Sequence, residues 1–94
     1  MFGFGKKKAI ERIHEKWFEE IRPAFDDNDP RFGMAKLKAA DFQGYVSRKN
    51  GAIEMLAGRL ADRGNEFSPS LRERIQKFIQ DEKSKLAAEI NARR

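Results

Sequence analysis

The chain predicts an all-α fold, a small bundle of three or four helices, and three observations carry that prediction. Apolar residues recur at three- and four-residue steps along most of the sequence, the period of a helix face. No stretch keeps the two-residue alternation of a strand; Phe42-Gln43-Gly44-Tyr45-Val46 comes nearest, and its surroundings return to the helical period. Hydrophobic residues at 39% and charged residues at 37% suit helices with a heavily solvated exterior. Helices are expected over about 7–22, 30–49, 52–63 and 69–92, the last the longest, in a single domain over 9–94 preceded by a flexible basic tail over 1–8.

In the first helix Ile10, Ile13, Trp17 and Ile21, with Phe18 beside them, form one apolar stripe, and Glu11, Glu15, Glu19 and Glu20 lie off it. Pro23 ends it, because proline lacks an amide and restricts Arg22. Asp26-Asp27-Asn28-Asp29-Pro30 reads as a loop, with Asp29 as N-cap and Pro30 as first residue of the next helix.

The middle supports two readings. Phe42, Val46, Ile53, Leu56 and Leu60 share one face if 36–63 is continuous, and Gly44, Gly51 and Gly58, spaced by seven, then line up on the other side. Such a small-residue line would let another backbone approach closely. Arg48-Lys49-Asn50-Gly51, however, has the cations and the Asn-Gly of a helix C-terminus. Three internal glycines would also cost about 1 kcal/mol each relative to alanine. A break at Asn50-Gly51 is therefore favoured, and a second stop follows at Arg63-Gly64.

Ser68-Pro69 opens the last helix as N-cap and first residue. Leu71, Ile75, Phe78, Ile79, Leu86 and Ile90 carry its stripe, which Glu82 interrupts where a strict heptad asks for an apolar side chain.

Charge narrows the function classes. Lysine and arginine number 20 against 15 acidic residues, but Lys6, Lys7, Lys8, Arg93 and Arg94 supply the excess, so residues 9–92 are neutral. Within that body, residues 9–30 carry a net −4 and residues 31–63 a net +4. These are electrostatic complements that can pair within a monomer or across a dimer. The chain lacks cysteine, which removes disulfides, thiol nucleophiles and thiolate metal sites and makes a cytoplasmic location the default. The N-terminus has no apolar run after its lysines and does not read as a secretory signal, and no run is long enough for a membrane span.

No catalytic constellation is evident. His14, the sole histidine, sits at the edge of the first stripe and is expected to be structural. Asp26, Asp27 and Asp29 resemble a calcium loop only in being acidic, since Arg31 and Leu37 stand where its glycine and glutamate belong. The serines lack a nucleophile elbow, and phosphate-loop and dinucleotide spacings are absent. The expectation is a non-enzyme with no cofactor, no metal and no small-molecule substrate.

Three readings by contact remain. The first is a self-associating protein-interaction module, a symmetric homodimer in its simplest form. The second is nucleic-acid binding through the basic middle, Lys36, Lys38, Arg48, Lys49, Arg59 and Arg63, against which the neutral body weighs. The third is a peripheral membrane contact through Phe2, Phe4, Lys6, Lys7 and Lys8, which the acidic helix that follows disfavours.

Overall fold

Local chemistry at four positions decides where the helices begin and end in the computed structural model, which describes residues 2–93 and the side chains of residues 8–93. Helix α1 spans Phe2–Ile21, starting earlier than the expected residue 7, and Pro23 follows it within a 3-10 turn, Arg22–Phe25. The next helix does not begin at Pro30. The Asp29 carboxylate instead accepts from the amide and guanidinium of Arg31, two residues on, at 3.0 and 2.7 Å. A side chain bonded so locally closes a turn rather than capping a helix. Gly33, at φ 61°, then makes the left-handed step into α2, Met34–Ala40.

Helix α3 spans Phe42–Arg63, so the expected break at Asn50-Gly51 is absent and the real one falls at Asp41. Asp41 leaves the helical region at φ −149° and ψ 87°, and its carboxylate accepts from the Gly44 amide at 3.0 Å. A Cβ on Gly44 would lie 2.5 Å from Asp41 Oδ2, so this cap depends on a glycine three residues on. Across Gly51 the buried face formed by Tyr45, Lys49, Ile53 and Leu56 runs on without interruption, and its packing outweighs the glycine cost. A second 3-10 turn, Gly64–Glu66, leads to α4, Pro69–Ala92, the longest helix at 24 residues. As expected, Ser68 caps it, accepting from the Leu71 amide at 3.1 Å. Arg72 reaches back to the Gly64 carbonyl at 2.7 Å and fastens the preceding turn.

The described residues form an all-α bundle without strands. Phe18, Phe25, Met34, Tyr45, Ile53, Leu56, Phe67, Leu71, Ile75, Ile79 and Leu86 make the core, most of them from α3 and α4. Phe78 meets Phe18 and Phe25 edge to face, with centroids 5.4 and 5.1 Å apart. Helix α1 is rotated from the expectation: His14 and Phe18 face inward, while Ile10 and Ile13 are 38% and 61% exposed. The close approach that a continuous helix would allow along the glycine line is not used at Gly51 or Gly58. A Cβ added at Gly51 or Gly58 would meet nothing within 4 Å.

Candidate functional site

Two buried polar groupings and one exposed face hold the residues with chemical character. The first grouping is centred on Asp27, in the loop after the first 3-10 turn. Tyr45, on α3, donates its hydroxyl to Asp27 Oδ2 at 2.8 Å and also lies 3.3 Å from Glu89 Oε1 of α4. Lys49, one turn further along α3 and only 7% exposed, donates to the Phe25 carbonyl and places its ammonium 3.1 Å from Asp27 Oδ1. Lys38, from α2, stands 3.7 Å from Asp27 and 3.4 Å from Glu89. Asp27 Oδ1 and Glu89 Oε2 are buried and meet these ammonium groups at ion-pair distance without accepting a directed hydrogen bond. One loop and three helices thus converge on a single knot.

The knot fixes protonation states. Burial pushes the Asp27 carboxyl up, but the Tyr45 hydroxyl and the Lys49 and Lys38 ammonium groups outweigh it and hold the group below the ordinary aspartate range. Burial, together with two carboxylate neighbours, pushes the Tyr45 phenol far above its ordinary value, so it stays a donor. The acidic loop read as Asp26-Asp27-Asn28-Asp29-Pro30 thus contributes the half-buried Asp27 to the knot. A signal was present in the segment charges, since the −4 and +4 segments meet here within one chain. Asp27, Tyr45, Lys49 and Glu89 also line a cleft of about 670 Å³, bounded on α4 by Phe78, Glu82 and Leu86.

The second grouping holds α1. His14 is 3% exposed, and its ring lies 4.4 Å from that of Phe67. Its Nδ1 faces Arg59 of α3, with Nη2 at 3.1 Å, and its Nε2 is 3.6 Å from Glu66. A guanidinium can only donate, so Nδ1 is the acceptor and the ring proton sits on Nε2, toward Glu66. The Arg59 guanidinium also covers Trp17, 4.0 Å from the ring centroid. His14 does meet an acidic partner, with its own ring buried and Glu66 30% exposed.

The six residues expected to form a basic patch do not act together. Lys38 and Lys49 belong to the Asp27 knot, Arg59 to the His14 clasp, and Arg63 lies 3.7 Å from Glu66. Lys36 and Arg48 have no ion pair among the described residues. At the N-terminus, Lys8 is exposed; the side chains of Phe2, Phe4, Lys6 and Lys7 lie outside the described ones. No helix among the described residues is long and apolar enough to cross a membrane, and no group of three or more potential metal-ligating side chains occurs among them.

The exposed face follows the outer side of α1 and α3. Ile13 stands one turn before Trp17 and Met55 one turn before Arg59, so these two side chains, 61% and 51% exposed, flank the Trp17–Arg59 stack. Along α3 the outer line reads Arg48, Gly51, Met55, Gly58 and Asp62, every one exposed. No protein family, curated protein or solved structure matches the chain.

Proposed function

We propose that this chain acts by contact rather than catalysis, as a helical module that pairs with a second copy of itself through the outer face of α3. The observation that carries this reading is the symmetry of the line Arg48, Gly51, Met55, Gly58, Asp62. Residues spaced by seven stay within about 20° of one another on a helix, so the five share one side. Met55 is their midpoint. If two copies cross antiparallel there, each Gly51 faces a Gly58, and each Arg48 faces an Asp62 of the partner subunit.

Several further features support the arrangement. A two-fold interface must be complementary to itself, and reversing this line exchanges the two glycines and brings the arginine of one end to the aspartate of the other. The open space at Gly51 and Gly58 admits a second helix at close range. Neither Arg48 nor Asp62 has an ion pair among the described residues. Ile13 and Ile10 extend the apolar strip at its side. A chain of this length gains more from such pairing than a large domain would. With no cysteine to protect, the reducing cytoplasm suits such a dimer.

The test is a charge swap read by analytical ultracentrifugation of the full-length protein over a wide concentration range. Wild type is expected to move from monomer toward dimer as concentration rises. Arg48→Glu alone and Asp62→Arg alone should each weaken association at least tenfold, and the double variant should restore it. A monomeric mass for wild type at every concentration overturns the proposal, as does a double variant no better than the singles.

A further inference from the structure

Helix α4 buries one residue that its own face does not suit. Ile75, Ile79 and Leu86 are buried there, and Glu82 is buried among them, at 7% exposure. Its carboxylate accepts no hydrogen bond from the described residues. The one cation recorded against it is Lys85, whose Nζ is 4.0 Å away on a side chain 71% exposed. The side chain is enclosed by apolar neighbours while its carboxylate oxygens open on the cleft, free to accept from a group that enters it. Lys49, as deeply buried, has both a carbonyl and a carboxylate partner; Glu82 has neither equivalent.

The surroundings indicate what the missing partner is. Glu82 lines the cleft of about 670 Å³ next to the knot, and six carboxylates line that cleft against four cations. The Phe25 and Phe78 rings stand in the same wall, apolar surface of the kind that packs the stem of a lysine or arginine. An acidic residue set in an apolar helix face, its carboxylate opening on a cleft and met only by the distant Lys85, suits a site that takes a cation from outside. We propose that this cleft binds a guanidinium or primary ammonium group, with the Glu82 carboxylate as its acceptor and Phe25 and Phe78 beside its stem. The site shares no residue with the outer line of α3, so it stands or falls independently of the pairing proposed above. The cation has two possible sources: a free organic cation, or the basic tail of a second copy, Lys6–Lys8.

The experiment is an amide NMR titration of the full-length protein with N-acetyl-arginine amide at low salt, with the uncharged citrulline analogue as control. Saturable shifts are expected at Phe78, Glu82 and Leu86 with the arginine probe only. Glu82→Gln should weaken binding at least tenfold while leaving the free protein folded. Glu73→Gln, an exposed change on the same helix, should leave affinity unchanged. Absence of saturable shifts, equal response to citrulline, or full affinity in Glu82→Gln overturns the proposal. The protein alone then separates the sources. Concentration-dependent shifts at the same amides, lost when Lys6, Lys7 and Lys8 become glutamine, identify the tail; their absence identifies the free cation.

Discussion

The Asp27 knot and the His14 clasp use the same device and differ in what they hold. In each, a cationic side chain of α3 reaches across to a group on a segment that has little apolar surface of its own in the core. Lys49 secures the loop after Phe25; Arg59 secures α1, which has Phe18 as its one buried apolar side chain among the described residues. The knot gathers five ionisable side chains, counting Tyr45 and both lysines, and is closed by charge. The clasp has at its centre an imidazole that accepts from an arginine, and that arginine keeps partial access to water. When charge is buried on both sides of a contact, losing one partner strands the other; when one partner can return to water, the loss is milder.

Breaking the knot should therefore cost most. Lys49→Met strands the Phe25 carbonyl and takes from Asp27 its nearer cation, leaving it Tyr45 and Lys38, and we expect a loss of about 3 kcal/mol in chemical denaturation. Adding Asp27→Asn should return part of it. The matching change in the clasp, His14→Phe, keeps the ring against Phe67 and removes the acceptor for Arg59 and the longer contact with Glu66. It should cost about 1 kcal/mol in the same assay. A result in which the two changes cost the same would erase the distinction drawn here.

Acid sharpens the comparison. Asp27 is held below its ordinary value in the folded chain, so its contribution is present above about pH 4 and is lost as pH falls through the lowered native value. Stability measured from neutral pH downward should fall in that window, and Asp27→Asn should flatten the fall. The smallest expected effect separates two glycines of one helix. Gly51→Ala meets no neighbour and should raise monomer stability by about 0.5–1 kcal/mol. Gly44→Ala displaces the Asp41 cap, whose loss of about 1 kcal/mol offsets the same gain. A thermal scan of both variants reads the difference.

The helical class, the long last helix and the Ser68 cap were legible because each rests on contacts a few residues apart. The Gly51 break was misread because the evidence against it is tertiary: Lys49 and Ile53 face the core on either side, and no local pattern announces that a lysine will be buried. Asp41 carried its own sign, an aspartate three residues before a glycine, hidden by the apolar period running through Phe42. Of the first stripe, Trp17, Phe18 and Ile21 do pack on the core, while Ile10 and Ile13 turn outward because His14, at the edge of the pattern, is turned inward in their place. For the cleft, Glu82 stood out in the sequence as an interruption. Its meaning needed the burial and the distances, as did the role of Asp27.

The chain has a single tryptophan and a single tyrosine, and each stands in one of the two groupings. Trp17 lies under the Arg59 guanidinium, so its emission follows the seating of α1. Tyr45 keeps its phenolic proton far into alkali while it is held between two carboxylates. Its ultraviolet tyrosinate band will therefore develop only as that enclosure opens. Two native chromophores thus report on opposite ends of α3, and the order in which the ends release can be followed without attaching a label.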